Sequence, residues 1–540
     1  MQDSSIDDGH GVVYDAGMWL ADHWPEISTV ASDPVSLTTG AGAVVGGGVA
    51  TLAGVRLGLS GIRSGVEALH GTPGEIRLGS LREKPAHRVT DPPVKLGFKD
   101  LCAGGVQVVG PPGQGKTTLL QSMALSHLLQ GHTVVVIEAD SDLGENLASY
   151  VGRLGLTDRF FRFDPSTNNS LKWNPLAGDT ELAVRRAVDT ISSASKGHEF
   201  FQNLNQDVLR HMVALACSYA KHVGGEATVT LLLRLLADVK SLESILEIGT
   251  DGSGRPKVGA TFLNGDLKDW CEQEFLLWSE KTRREYLLGL RNVLRGLLSS
   301  DRVVEALTPK NDEVTIDLDR ALNSGGLILF KVSSAEFGRV AGRTLLTWAL
   351  QHVQQATLGR TMLRRPICVM LDEAHVVLGS QNSAAAESYA EWFVQARKFR
   401  CAPHVGYQSF SQLPDHLSGV LDSAARNKIF FGGLHHEDAH HAQELLGHTL
   451  RRREELREIP SEIFLAPARR QKVYRTVEEP FLTLSEIENL SVGCCICRLL
   501  KNGRLLPPAI VRVKTPASPT RMFSRVPGAP APAPRRRRRS

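Results

Sequence analysis

Short, unbroken apolar runs recur along the chain, and each stops at glycine or at acidic residues. "GGVQVVG" ends at Gly110, "GHTVVVIEAD" covers 131–140 and "RFFRFDP" follows. Runs of this length, rich in Val and Ile, predict strands buried on both faces. Between them the period changes. "KTTLLQSMALSHLLQ" and "LGENLASYVGRLG" carry apolar residues at helical spacing. Strand–helix alternation of this kind predicts an α/β domain with a parallel sheet.

From about residue 180 to 310 the pattern predicts helices only. "ELAVRRAVDTISSA", "FQNLNQDVLRHMVALACSYAKHV", "TVTLLLRLLADVKSLESILEI" and "KTRREYLLGLRNVLRGLL" all repeat near 3.6 residues. Strands resume at "GGLILFKVS" (325–333), a long helix is expected over 335–358, and further strands at 367–371 and in "PHVGYQS" (403–409). An all-helical module is thus inserted into one α/β domain.

The chain has 540 residues, enough for two or three domains, and a net charge of only +4, so charge must be read locally. All charged residues before Arg56, histidine aside, are acidic. Pro34 to Val55, "PVSLTTGAGAVVGGGVATLAGV", carries no charge, and Arg56, Arg63, Arg77, Arg82 and Lys84 follow. That stretch is long enough to span a bilayer, with small residues suited to helix contact; a Gly-rich soluble linker is the alternative. As a span it puts the N-terminus outside and the rest in the cytoplasm. The chain ends in "PGAPAPAPRRRRRS", expected to be a disordered tail whose arginines suit nucleic acid, acidic lipid or an acidic partner.

Eight scattered cysteines do not resemble a disulfide framework. "GCCIC" (Cys494, Cys495, Cys497) reads as a buried strand, since no partner pair follows at zinc spacing. "HHEDAHH" (435–441) reads as a surface helix ending at Gly447.

Gly110, Pro111, Pro112, Gly113, Gln114, Gly115, Lys116 and Thr117 fit the P-loop pattern, and Thr118 continues it. Glycines let backbone N–H groups curl around phosphates at a helix N-terminus. Lys116 is expected to reach the β- and γ-phosphates of ATP, and the Thr117 hydroxyl to ligate Mg²⁺. "RRPICVMLDEAH" (364–375) places Asp372 and Glu373 at a strand end. There Asp372 would hold the Mg²⁺ shell and Glu373 would orient and deprotonate the attacking water. Gln408, at the end of the next strand, is placed to reach the γ-phosphate or the water. The candidate catalytic set is therefore Lys116, Asp372, Glu373 and Gln408.

The order P-loop, helical insert, "VMLDEAH", "ARKF…GYQSFSQL" and "NKIFFGG…DAHHAQELLG" resembles the type IV secretion coupling proteins. These are TraG/TraD-like conjugative ATPases of the FtsK/HerA superfamily. "NNSLKWNPL" (168–176) resembles that family's Asn-Pro-Leu segment, and "LTLSEIENL" (482–490) with "CCICRLLKNGRLLPPAIVRV" resembles its closing segment. The resemblance covers about 90–513. The second strand ends "IEADSDL" where the family has an Asp followed by Lys-Gly-Asp, which leaves the roles of Glu138 and Asp140 open. One candidate span stands where the family has two.

The resemblance implies a RecA-like P-loop NTPase domain, 90–178 and 313–513, with an all-α insert at 179–312. An acidic segment (1–33), a span (34–58) and a linker (59–89) precede it, and a Pro/Arg-rich tail (514–540) follows. It further implies a homo-hexameric ring at the inner membrane that moves DNA, or a relaxase or other secreted substrate with its DNA, to secretion channel components. A soluble FtsK/HerA-like motor in repair, segregation or defence is one alternative. A nucleotide-gated substrate receptor is another. In such a ring an arginine from the neighbour completes the ATP site, and Arg397 and Arg426 are the candidates, as lying near the strand ends beside Gln408. Arg185, Arg186, Lys196, Arg210, Lys221, Arg283, Arg284, Arg291 and Arg295 of the insert are equally readable as phosphate contacts or as solvated helix faces.

Overall fold

The computed structural model describes residues 75–81 and 93–516, apart from 195–198, 238, 264, 299, 311–312, 362–363, 380–383 and 460–468. All belong to one of the two units into which the chain divides, Gly65–Ser540. The candidate span at 34–55 and the arginine tail lie outside the described residues. Among the described residues, no helix is long and apolar enough to cross a membrane.

Strands β1 (Glu75–Leu81), β2 (Pro93–Gly97), β3 (Val106–Val109), β4 (Thr133–Glu138) and β5 (Phe160–Phe163) come before the insert. Inside the insert a small hairpin, β6 (Ile248–Thr250) with β7 (Pro256–Val258), interrupts the helices. The expectation of helices only is corrected there: three-residue strands carry no readable period, although "TDGSGRP" holds turn residues. After the insert come β8 (Leu327–Lys331), β9 (Ile367–Leu371), β10 (Cys401–Tyr407) and β11 (Asn427–Phe431). A long antiparallel ribbon, β12 (His448–Ile459) with β13 (Arg469–Pro480), lies apart from the main sheet. β14 (Cys494–Arg498), the two-residue pair β15 (Leu500–Lys501) and β16 (Arg504–Leu505), and β17 (Ala509–Val513) close the domain.

The main sheet has eleven strands in the order β2-β1-β17-β14-β11-β3-β10-β9-β4-β8-β5. From β11 to β5 every pairing is parallel, and the β14, β17, β1 and β2 side is antiparallel. The continuous apolar runs follow from burial on both faces. Val135 and Ile137 of β4 face a core shared with the insert. Val134 and Val136 face the other core, under the helix Lys116–Leu129. β8 and β9 divide in the same way: Ile328, Val369 and Leu371 on one side, Leu329, Cys368 and Met370 on the other.

The long helix expected over 335–358 is instead two. Ser334–Phe337 stops at Gly338, whose φ of 84° breaks the α geometry, and Arg339–Gly359 starts anew. This second helix packs on Thr180–Ala194 of the insert. The Asn-Pro-Leu segment forms the joint. Trp173 is fully buried against Phe163 and Phe330, and the Asn174 amide donates to the Ala227 carbonyl at 2.8 Å.

Candidate nucleotide site

In a parallel sheet all the C-terminal strand ends share one edge, and ligands bind there. β3 leads into Gly110, β9 into Asp372 and β10 into Gln408, so register alone gathers the three motifs. Tyr407 pairs with Val109 and Val405 with Leu371, and Gly110 N donates to Tyr407 O at 3.2 Å. The loop Gly110–Gly115 turns through Gly113 (φ 78°) and Gly115 (φ 112°), backbone that a side chain would strain. Pro112 and Gly113 are exposed, whereas Thr117 and Thr118 are half-buried on the first turn of the helix that Lys116 opens.

The Lys116 ammonium folds over the loop and donates to Gly110 O at 2.6 Å and Pro111 O at 3.0 Å. Burial lowers its pKa, and Asp372 and Glu373 oppose that shift. Asp372 is 3% exposed. Its Oδ2 accepts from Thr117 Oγ1 at 2.9 Å and from Ser141 Oγ at 2.7 Å, while its Oδ1 is buried and has no partner among the described residues. A buried, unpaired carboxylate oxygen beside a P-loop hydroxyl fits a divalent cation, whose positive charge would balance it. Glu373 is held with φ 61°, rare for a residue with a side chain, and Gln408 Nε2 donates to its Oε1 at 3.0 Å. Gln408 is itself fixed, since Gln412 Oε1 accepts from its backbone N–H at 3.0 Å. His375, two residues after Glu373, has its pKa lowered by burial.

Sequence reasoning missed Ser141. The signal was a hydroxyl just past the end of β4, beside the strand that carries Asp372. Glu138 and Asp140 can also be placed. Asp140 accepts from Ser333 Oγ and Ser334 N, both at 3.0 Å, and so ties the ends of β4 and β8. Glu138 is 1% exposed; it accepts from Gly144 N at 3.0 Å and lies 3.7 Å from the Lys331 ammonium. Burial pushes its pKa up to about 7.

Two readings change in the structure. Arg397 and Arg426 precede β10 and β11, so they stand at the opposite edge of the sheet from Gln408 and the P-loop. At about 3.3 Å per residue, the seven residues of β10 separate Arg397 from that edge by roughly 23 Å. In a ring they could serve only a neighbour that meets this far edge. The basic stripe of the insert is also broken. Arg186 is buried and donates to Pro175 O, Ala177 O and Gln355 Oε1, and Arg283 pairs with Glu243. Arg185, Arg210, Arg284 and Arg295 remain exposed, and Lys196 lies outside the described residues.

At the level of sequence, no family model and no curated protein matches the chain. Solved structures do. The unbound form of the bacterial conjugative coupling protein TrwBdeltaN70 superposes with a TM-score of 0.57 at 18% identity, covering 83% of this chain and 97% of that one. The fold is that of TrwB. TrwB in complex with ADP and Mg²⁺ gives 0.54 at 18% identity, over 84% and 97% of the two chains. VirB4 of Thermoanaerobacter pseudethanolicus gives 0.52 at 13% identity, over 84% and 99%. The likeness to TrwB thus spans the sheet and the insert together.

Proposed function

We propose that this chain is an ATP-hydrolysing motor of the conjugative coupling type, which delivers DNA, alone or with a bound relaxase, to a type IV secretion channel. The observation that carries the hydrolytic part is the chain of contacts Thr117–Asp372 and Glu373–Gln408 at the sheet edge next to the P-loop. The TrwB and VirB4 folds support the choice of motor class. In this reading the loop Gly110–Thr118 wraps the triphosphate and Lys116 leaves its carbonyl partners for the phosphate oxygens. Thr117 and Asp372 would hold Mg²⁺, which supplies positive charge for the β/γ oxygens. Glu373 accepts the proton of the attacking water, and Gln408 orients the Glu373 carboxylate. Assembly as a hexamer at the membrane belongs to the same proposal.

Purified full-length protein should hydrolyse ATP, and DNA should stimulate turnover. Lys116→Ala and Glu373→Gln should each lower kcat by about 100-fold or more, because a transition-state contact is removed. Glu373→Gln should still bind nucleotide, whereas Lys116→Ala should bind it weakly. Turnover near wild type in Lys116→Ala would reject the site. Turnover that DNA leaves unchanged would favour a nucleotide-gated receptor. Recovery of full-length protein in the soluble fraction would favour the soluble motor.

A further inference from the structure

At its far end the P-loop helix buries an unusual group of side chains. His127, in its last turn, meets Cys368 of β9 and His404 of β10, and all three are fully buried. One ligand-type atom from each lies within 4.8 Å of the others. We propose that these three residues form a metal site, in which one thiolate and two imidazoles suit zinc(II).

The hydrogen bonds around the group set the tautomers that a metal needs. His404 Nδ1 is 3.0 Å from Ala402 O, a carbonyl that can only accept, so this nitrogen carries the proton. Nε2 is then a bare lone pair, 3.8 Å from Cys368 Sγ. Ordinary Zn–S and Zn–N bonds at tetrahedral to trigonal angles put sulfur and nitrogen about 3.6–3.8 Å apart. His127 Nδ1 is 3.0 Å from His132 Nδ1, and the tautomer in which His127 donates leaves its Nε2 bare as well. That Nε2 is buried and has no partner among the described residues. A thiol donating to His404 Nδ1, 3.2 Å away, would compete with Ala402 O for the same nitrogen and would leave His127 Nε2 unexplained. Ligating imidazoles usually donate their second nitrogen to an outer partner, as His404 does to Ala402 O and as His127 does to His132 in the tautomer that leaves its Nε2 bare. Phe98, edge-on to both His127 and His132, closes the group over.

The site would join three elements of the nucleotide machinery at the end away from the chemistry: the helix that carries Lys116 and Thr117, the strand that ends in Asp372 and the strand that ends before Gln408. Its role is to fix their spacing. Binding releases the Cys368 proton.

The test is elemental analysis of untagged full-length protein purified from zinc-replete cells, with about one zinc expected per chain. Cys368→Ser should lower the zinc content about tenfold or more. Cys495→Ser, in the other buried cysteine group, should leave it unchanged. Wild-type protein stripped by a chelator and titrated with cobalt(II) should show a thiolate-to-cobalt charge-transfer band, a readout that stands even where Cys368→Ser fails to fold. Wild-type protein that carries no zinc and gives no such band overturns the proposal. So does full zinc retention in Cys368→Ser.

Discussion

Glu373 is the residue where conformation and chemistry compete. Its φ of 61° costs a residue with a β-carbon about 1–2 kcal/mol, and glycine far less. Glu373→Gly should therefore keep or slightly raise the thermal midpoint while hydrolysis falls as in Glu373→Gln; a large loss of stability would mean that the carboxylate is structural. Glu138 carries a different signature. Its carboxyl binds a proton more tightly in the folded chain, at about 7 against an ordinary 4.5. Between those values the native state holds more protons than the unfolded one, so stability falls as pH rises through this window and levels off above it. Glu138→Gln is neutral throughout and should flatten that slope. Urea titrations at about pH 5 and about pH 8 should show the wild type losing on the order of 3 kcal/mol more than the variant.

At the scale of elements, neighbouring identical residues can do opposite things. Arg185 is exposed, whereas Arg186, about 100° further round the same helix, holds the carbonyls of Pro175 and Ala177. Arg186→Ala should cost about 2–4 kcal/mol, since buried carbonyls lose their donor, and Arg185→Ala almost nothing; denaturant midpoints check both. The sequence leaves such arginines equally readable as phosphate contacts or solvated faces, because packing decides which side of a helix is covered. Where a signal was periodic and long, the sequence sufficed. β3, β4 and β9 fall within their apolar runs, and Lys116 and Asp372 stand at the strand–helix junctions that the motifs require. Short or non-local features were not legible. The break at Gly338 and the hairpin of β6 with β7 are too brief to have a period. His127 and Cys368 are 241 positions apart and meet only because β4, which follows the P-loop helix, lies beside β9. Arg397 and Arg426 each precede a strand, so in a parallel sheet they stand at the edge opposite Gln408.

On the scale of the whole molecule, the insert does more than add a module: it separates β3, β4 and β5 from the strands they pair with. β3 lies between β11 and β10, β4 between β8 and β9, and β5 pairs with β8. Among the described residues, none of these three strands pairs with another strand that precedes the insert. A ribosome that has just finished β4 must add almost two hundred residues before β8 exists to pair with it. At about 5–20 residues per second that is a wait of roughly 10–40 s, with bare Val- and Ile-rich edges in the nascent chain. Such edges are templates for aggregation. A chain truncated at residue 312 should therefore be insoluble, and co-expression of 65–312 with 313–516 should return both halves to the soluble fraction as one complex. Synthesis of this fold is thus a race between elongation and self-association. A chaperone that holds extended apolar strands for some tens of seconds would decide how much of the protein reaches its working form.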